Sequence, residues 1–243
     1  WFLDPLIKKG PDYLNNKKRI LNLEKFINTS FLTSDPKSLD FKIKNSFFMP
    51  NPSDFSFEMI DNSFENKKKD LFFAMSHGVH RGKLKKGKYD DREKFLDELK
   101  RKLSDIDFDF FGYENKEPLW ADDFLETIKN YNMGLNLSRG ESLKYYSSDR
   151  IVQLIGNGLL CLIDDKTQLS NLIPKNCAVY YKDIDDLAKK IKFYKKNTNL
   201  MKKIAKNGKK FYNKNFNSSI VSQYIVDVTF NLKHKYKYVW CKK

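Results

Sequence analysis

The stretch MGLNLSRGESLKYYSSDRIVQLIGNGLLCLID, residues 133–164, decides the fold of this chain. It begins with an apolar run at 133–138, continues through a polar loop, and ends in a second apolar run at 159–163. The residues from about Asp149 onward fit a helix between the loop and the second run. Two buried strands joined through one helix are the pattern of a βαβ unit in a parallel sheet.

Strands and helices alternate on both sides of this unit. Further apolar strands are predicted at 70–75, 106–113 and 177–181, and helices at 92–103, 120–131, 184–194, 199–215 and 218–230. The first of these helices has a 3.6-residue period, because Phe95, Leu96, Leu99 and Leu103 fall on one face. This order predicts an α/β protein with a doubly wound, mostly parallel sheet.

The flanking segments divide the chain into four parts. Residues 1–50 hold a short helix at about 18–27 and a strand at 29–34, and we expect them to be an incomplete domain of a longer protein. A linker is predicted at 51–69, since prolines near its start favour extended backbone. The sheet domain is predicted at 70–232, and KHKYKYVWCKK forms a basic, aromatic tail at 233–243.

The composition is that of a folded, strongly basic protein. Hydrophobic residues make up 40% and aromatic residues 15% of the chain, which argues against disorder, and the formal net charge is +15. Only six of the 46 basic residues are arginine, and the lysines are spread along the whole chain. A solvated lysine surface is therefore expected, with a nucleic-acid or anionic-membrane surface as the alternative.

The cysteines and the apolar runs favour a cytoplasmic setting. The three cysteines lack the spacing of a disulfide framework, which fits a reducing compartment. No apolar run approaches the roughly 18–20 residues that span a bilayer, and no secretory signal is visible. We expect a cytoplasmic protein, with contact at the inner face of the membrane left open.

Three of the six arginines follow predicted strands. Arg81, Arg139 and Arg150 fall in or beside loops that meet at the carboxyl edge of a parallel sheet, where ligands bind. A guanidinium binds phosphate oxygens in bidentate fashion, which a lysine does not. Gly78 and Gly82 allow backbone amides to approach a diphosphate. The pattern favours a phosphate site, the alternative being surface or capping roles.

Other polar and aromatic residues at this edge leave alternatives open. His77 and His80 form an HxxH pair, but no third ligand is spaced to complete a zinc site, so no metal is predicted. The two histidines are expected either to contact the phosphate or the acceptor or to have a structural role. Trp120 either stacks on a base or sugar or packs in the core, which is the more common fate. The acid pairs 122–123 and 164–165 are interpreted as caps and turns.

Glu141 and Asp149 are separated by seven residues, in ESLKYYSSD, and precede a helix, a glycine and an apolar strand. In this the chain resembles the donor-binding region of GT-B-fold glycosyltransferases. More narrowly, NLSRG…YYSSDRIVQLIGNGLLCLID is similar to the group 1 glycosyl transferases that include spore maturation protein B. PNPSD resembles their domain linker, and FFAMSHGVHRGKLKKG their first donor-domain strand with its phosphate loop. The resemblance covers about 50–230, and residues 1–50 resemble the end of the acceptor domain.

This resemblance implies a Rossmann-like C-terminal GT-B domain that binds a donor. The implied activity transfers a hexose-type sugar from a nucleoside-diphosphate sugar to a glycan, lipid-linked or small-molecule acceptor. The sugar nucleotide is the donor substrate, no cofactor is implied, and no nucleic-acid partner is expected. The implied catalytic residues are Glu141, facing the donor sugar, and Arg81. Arg81 with Lys83 or Lys88, together with Arg139 or Arg150, would neutralise the diphosphate leaving group.

The ribose ligand has two candidates. Counting from Glu141 selects Asp149, whereas counting back from Gly158 in the family's Arg-x-Phe-Glu register selects Gln153. The two residues are four apart and share one helix face. Tyr146 is expected to line the sugar pocket or to anchor the loop. The full predicted donor-binding set is His77, Gly78, His80, Arg81, Lys83, Lys88, Arg139, Gly140, Glu141, Tyr146, Ser147, Ser148, Asp149, Arg150 and Gln153.

Two rival functions remain at this point. A basic binding module would use the lysines and the aromatic tail as a charged stacking surface for nucleic acid, or would bind an anionic membrane. A non-catalytic scaffold would keep the sugar-nucleotide fold without turnover.

Overall fold

The computed structural model describes residues 13–76 and 91–241. Within these ranges the elements are α1 (Tyr13–Leu23), β1 (Ser30–Leu32), β2 (Ser46–Phe48), β3 (Lys69–Ala74), α2 (Asp91–Lys102), β4 (Phe108–Phe111), α3 (Ala121–Ile128), β5 (Tyr131–Asn136), α4 (Arg150–Gly156), β6 (Leu160–Asp164), β7 (Val179–Tyr181), α5 (Ile184–Lys196), α6 (Thr198–Asn215) and α7 (Ser218–Thr229). Every strand and helix predicted in the sheet domain is present, so the α/β prediction is confirmed.

Five of the strands form one sheet in the order β4-β3-β5-β6-β7, with every neighbouring pair parallel. From β3 the chain moves to β4 on one side and then returns to β5 on the other. The strand order therefore reverses between β3 and β5. In open α/β sheets this switch point creates a crevice at the carboxyl ends of the strands, where ligands bind.

Helices cover both faces of the sheet, because the strands alternate between them with period two. Phe72 and Ala74 of β3 face the layer of α4, α7 and the second half of α6. Leu71 and Phe73 face the layer of α2, α5 and the first half of α6. A sheet buried on both faces explains why its strands are continuous apolar runs in the sequence.

Helix α4 packs against β5 at Gly134, where the side chain of Leu154 fills the space that a Cβ would need. A Cβ atom at this position would stand 2.3 Å from Cδ2 of Leu154, which no folded protein tolerates without movement. The hydrogen side chain thus sets the depth of α4 against the sheet, and with it the place where the first turn of α4 meets the carboxyl edge.

The amino-terminal segment supports the loop between β5 and α4. Strands β1 and β2 form a separate parallel pair. Tyr13 and Leu32 pack with Leu143 and Tyr146 of the loop in a small buried cluster. The amide of Asp35 donates to the carbonyl of Lys144 at 2.9 Å, and their side chains form an ion pair at 2.7 Å.

The predicted linker at 51–69 is docked on the sheet domain along its length. Asn62 is buried, its amide donates to the Asn157 carbonyl at 2.9 Å, and its side chain donates to the carbonyls of Ile128 and Tyr131. At the other end, the Ser53 amide donates to the Phe216 carbonyl at 2.9 Å. The stretch therefore brings its own side chains to the domain surface rather than acting as a free tether.

Half of the aromatic tail belongs to the core. Tyr238 and Trp240 are buried, the Tyr238 hydroxyl donates to Asp227 at 2.6 Å, and the Trp240 ring stacks on Phe216 with centroids 5.5 Å apart. Aromatic residues occupy every second position at 236, 238 and 240 of the tail. Burial of the last two rings indicates that this alternation reflects core packing and not a charged stacking surface. Residues 229–237 are exposed throughout.

Several predicted boundaries were wrong by a few residues. The first helix runs over Tyr13–Leu23 instead of 18–27, anchored by the buried ring of Tyr13. Helix α3 is not capped by Asp122, which lies in its first turn, and its N-cap position is Trp120. No helix in the part of the chain that the structure describes is both long and apolar enough to cross a bilayer.

Candidate functional site

Two cavities open at the carboxyl edge of the sheet. The larger, of about 690 Å³, lies between the end of β3, the start of α3 and the start of α4. The smaller, of about 380 Å³, lies between the ends of β5, β6 and β7 and the start of α2. The loop from β5 to α4 contributes residues to both, so the stretch that decides the fold also joins the two cavities.

Arg150, the first residue of α4, occupies the switch point. Its Nε donates to the carbonyl of Ala74 at the end of β3, and its Nη1 donates to the carbonyl of Leu137 just after β5, both at 2.9 Å. The guanidinium also lies over the ring of Phe73, 5.0 Å from its centroid. Arg150 therefore ties together the two strand ends between which the sheet reverses.

The charge of Arg150 is maintained despite its burial. Loss of solvent, and then the nearby Arg92, lower its pKa to about 10, while Asp149 acts in the opposite direction. The group thus stays protonated at neutral pH. Because Nε and Nη1 are bound to protein oxygens, only part of the guanidinium's five N–H donors is available to a ligand in the larger cavity.

The structure divides the predicted loop residues between the two cavities. Gly140 and Glu141 line the smaller one, whereas Asp149, Arg150 and Gln153 line the larger one. Asp149 and Gln153 sit one helical turn apart on the same wall. Asp149 is exposed and its side chain makes no capping hydrogen bond, and Gln153 is half-buried. Both ribose candidates therefore reach the same space.

Four predicted residues line neither cavity. Tyr146 packs in the small cluster with Tyr13, so of its two expected roles the structure gives it that of an anchor. Ser147 is buried and donates to Asn136 at the end of β5 at 3.2 Å. The Ser148 hydroxyl accepts from Arg150 Nη1 at 3.2 Å. These contacts shape the loop, and Arg139 lies in it without reaching either cavity wall.

The remaining predicted residues belong to the loop after β3 and lie outside the described residues. They are His77, Gly78, His80, Arg81, Lys83 and Lys88. The loop leaves β3 through Met75 and Ser76, which line the larger cavity.

Most of the residues that line the smaller cavity were not predicted as site residues, and three of them carry polar groups at its walls. Arg92 of α2 is buried, Asp164 ends β6, and Tyr181 ends β7. Asp164 does cap the turn that follows it, accepting from the Lys166 amide at 2.9 Å, but it also accepts from the Ser142 hydroxyl at 2.7 Å. For Asp164 and Tyr181 the sequence did contain a signal, namely their position, since the last residue of each parallel strand lies at the carboxyl edge of the sheet.

Two further residues line the larger cavity: Trp120, for which stacking on a base or sugar was the less expected of two roles, and Glu58, which was not predicted. Trp120 is 54% exposed at the start of α3, so its expected packing in the core was wrong. Glu58 comes from the docked linker, is buried, and accepts from the Asp54 amide at 2.7 Å. Burial raises the pKa of Glu58 above its ordinary value, and the neighbouring Asp54 charge adds to this.

Among residues 13–76 and 91–241, no group of three or more His, Cys, Asp or Glu side chains is arranged to hold a metal ion. Cys161 and Cys177 are buried, and burial raises the pKa of both thiols. They act as apolar core residues at neutral pH.

Solved structures with the same fold were found by structural comparison. TarM superposes with a TM-score of 0.63 at 11% identity, over 88% of this chain and 46% of TarM. HepE of Anabaena, in complex with UDP, gives 0.62 at 11% identity, over 93% of this chain and 71% of HepE. Sucrose-phosphate synthase of Thermosynechococcus elongatus gives 0.59 at 9% identity, over 92% and 63%.

These similarities concern the fold, because the identities are low, and the chain spans less than half of TarM. No curated protein sequence matches this chain significantly. A glycosyl transferase-like family profile matches residues 91–227, which is more than half of the chain and includes the β5–α4 loop, α4 and both ends of the sheet. The five-stranded parallel sheet flanked by helices matches the Rossmann-like fold of these GT-B neighbours, and the chain belongs to the glycosyl transferase-like family.

Proposed function

We propose that this chain forms the donor-binding half of a glycosyltransferase that takes its sugar from a nucleoside-diphosphate sugar. The observation that carries the proposal is the β5–α4 loop, which connects two cavities across the clamp made by Arg150. A sugar nucleotide has two unlike ends joined by a diphosphate. Two unlike cavities fit that shape, since Arg150 binds the carbonyl of Ala74 in the wall of the larger one and of Leu137 in the wall of the smaller one.

The nucleoside is assigned to the larger cavity. Its walls combine the exposed ring of Trp120 with the polar side chains of Asp149 and Gln153, a mixture suited to a flat base and a ribose. We assign the ribose hydroxyls to Gln153, because it is half-buried within the cavity, whereas Asp149 is exposed at its rim. The structure of HepE in complex with UDP supports a nucleotide as a ligand of this fold.

The leaving diphosphate is assigned to the space beside Arg150 and the loop after β3. Arg150 supplies fixed positive charge at the switch point, and the first turn of α4 begins at the same residue. Arg81 with Lys83 or Lys88 of that loop is proposed to add the charge that stabilises the diphosphate as its bond to the sugar breaks, and of Arg139 and Arg150 the role is assigned to Arg150. No metal ion is needed for this role.

Glu141 is proposed to face the sugar from the smaller cavity. The acceptor is proposed to be a glycan, a lipid-linked sugar or a small molecule, bound with the help of a further domain. We place the reaction in the cytoplasm, at or near the inner face of the membrane, which a net charge of +15 would favour where the lipids are anionic.

Calorimetric titration tests the proposal against the binding-module alternative. The 243-residue chain is titrated with UDP, with GDP and with a single-stranded oligonucleotide at two salt concentrations. We expect micromolar affinity for one nucleoside diphosphate and a loss of about tenfold in Gln153→Ala, the size of one or two hydrogen bonds. Binding of the oligonucleotide alone, with a steep salt dependence, would overturn the proposal. Donor hydrolysis by the full-length protein then separates an enzyme from a scaffold.

A further inference from the structure

The smaller cavity has the size and the walls of a site built for a small polar ligand. Its volume of about 380 Å³ falls within the roughly 300–1,000 Å³ of ligand pockets. Its lining joins two aromatic rings, Phe95 and Tyr181, to the carboxylates of Glu141 and Asp164. The ring centroids of Phe95 and Tyr181 are 6.4 Å apart, so they form one continuous apolar wall.

Tyr181 carries the most direct indication of a ligand. The residue is only 2% exposed, and its hydroxyl has no hydrogen-bond partner among the described residues. Buried hydroxyls in native proteins are nearly always paired, so a hydroxyl that finds no partner among the described residues and belongs to a cavity wall is a candidate to bind a ligand. Burial raises the pKa of Tyr181, and the hydroxyl therefore remains an O–H donor across the physiological range.

Asp164 supplies a fixed acceptor in the same cavity. Its two oxygens each accept one hydrogen bond from the protein, from the Ser142 hydroxyl at 2.7 Å and from the Lys166 amide at 2.9 Å. A carboxylate has about four acceptor sites, so capacity remains for ligand hydroxyls. Its position is set by two elements at once, the end of β6 and the β5–α4 loop.

The charged residues that the structure describes around the cavity balance one another, which favours a neutral ligand. Glu141 and Asp164 offset Arg92 and Lys166, all four of which line it. A diphosphate gains no net attraction from such a set, whereas a ring with several hydroxyls finds donors and acceptors on one side and aromatic carbon on the other. This mixture suits the polar edge and the apolar face of a hexose.

We infer that the smaller cavity binds the sugar ring, with Tyr181 donating to a sugar oxygen and Asp164 accepting from a sugar hydroxyl. The inference rests on the proposed function and adds to it two residues that recognise the sugar. It also places the sugar and the nucleoside on opposite sides of Arg150. Tyr181 and Asp164 hold the ring and take no part in breaking its bond to phosphate.

The test is Tyr181→Phe in the 243-residue chain, compared with Tyr180→Phe. The two tyrosines are neighbours in β7, but the Tyr180 hydroxyl points to the other face and donates to the Ile173 carbonyl at 2.6 Å. Affinities for UDP, GDP, UDP-glucose and GDP-mannose are measured by calorimetry. Binding of free glucose and free mannose is detected by saturation-transfer NMR. Melting temperatures of both variants show whether they fold.

We expect Tyr181→Phe to leave the nucleoside diphosphate affinity unchanged and to weaken the preferred sugar nucleotide about threefold to tenfold. Tyr180→Phe is expected to lower the melting temperature and to change neither affinity. If Tyr181→Phe binds the sugar nucleotide as well as the parent chain does, the inference fails and the proposed function stands. If the parent chain binds no nucleotide, the proposed function fails. In that case, free-sugar signals that the parent chain gives and Tyr181→Phe loses would assign the cavity to an acceptor sugar. Signals that are unchanged in the variant, or absent with the parent chain, would overturn the inference as well.

Discussion

The Nε atom of Arg150 donates a hydrogen bond of 2.9 Å to the carbonyl of Ala74, two residues that are 76 positions apart in the chain. The same guanidinium reaches the Leu137 carbonyl, so one side chain closes the gap between the ends of β3 and β5. Strand ends at a switch point diverge, and their last carbonyls lack ladder partners. Arg150 satisfies two of them and brings a positive charge to the place where a diphosphate is proposed to bind.

Replacement of Arg150 by methionine should destabilise the fold. The apolar stem is kept over Phe73, but two strand-end carbonyls lose their donor, and we expect a loss of about 2–4 kcal/mol in the free energy of unfolding. Urea denaturation measures this. Arg101→Met, at an exposed position near the end of α2, is the control and should change stability by less than about 0.5 kcal/mol. Equal stability of the two variants would show that the clamp contributes nothing.

The close approach of α4 to β5 gives a second prediction. Gly134→Ala places a methyl group 2.3 Å from Leu154 Cδ2 and should cost about 1–3 kcal/mol through overpacking. The double variant Gly134→Ala/Leu154→Ala should lose less stability than the sum of the two single changes, because the clash is removed. Strict additivity in this double-mutant cycle would contradict the proposed contact.

Glu58 makes the stability of the linker depend on pH. Its folded-state pKa is raised, so the native protein binds more protons than the unfolded chain between the ordinary value of about 4.3 and the raised value. Stability should therefore fall as pH rises through that window. In Glu58→Gln, which keeps an acceptor for the Asp54 amide, this fall should disappear.

The pH dependence of stability that Asp54 contributes has the opposite sign to that of Glu58. The Ser218 hydroxyl and the Ser56 amide and hydroxyl lower the pKa of Asp54 to about 2, so its contribution is present above the ordinary value and lost as pH falls towards 2. Asp54→Asn should therefore change the acid limb and narrow the fall above pH 4.3 without abolishing it, because burial is the largest cause of the raised Glu58 pKa and the Asp54 charge a smaller one. Thermal melts of both variants from pH 2 to pH 8 show whether the two limbs separate in this way.

Much of the fold follows directly from the sequence. The strands at the centre of the sheet are apolar runs because both of their faces are buried, and helices such as α2 carry their leucines at 3.6-residue spacing. Gly140, Glu141, Asp149 and Gln153 were predicted at the carboxyl edge, and they do lie beside its two cavities. The short stretch around β5 and α4 contains enough local information to place them.

The unpredicted parts of the site depend on sheet order and on backbone atoms. Arg150 binds two carbonyls, which leave no trace in side-chain patterns. Tyr181 and Asp164 meet Glu141 only because β6 and β7 follow β5 in the sheet, and strand order is not readable from periodicity. Trp120 begins a helix, where a packed and an exposed ring have the same sequence signature.

The two ribose candidates can be separated by single substitutions. Gln153→Ala should weaken the preferred nucleoside diphosphate about tenfold, as one or two hydrogen bonds are lost, and Asp149→Ala should weaken it less than about threefold. Calorimetry on the two variants, with melting temperatures as a check of folding, gives the comparison. The reverse order would assign the ribose to Asp149 and leave the cavity itself in place.

A crystal structure of the chain with its preferred nucleoside-diphosphate sugar tests the central claim most directly. We predict the nucleoside in the larger cavity beside Gln153, the diphosphate next to Arg150, and the sugar ring in the smaller cavity within hydrogen-bonding distance of Tyr181 and Asp164. A ligand bound elsewhere on the surface, or a nucleotide that leaves both cavities empty, would contradict the account.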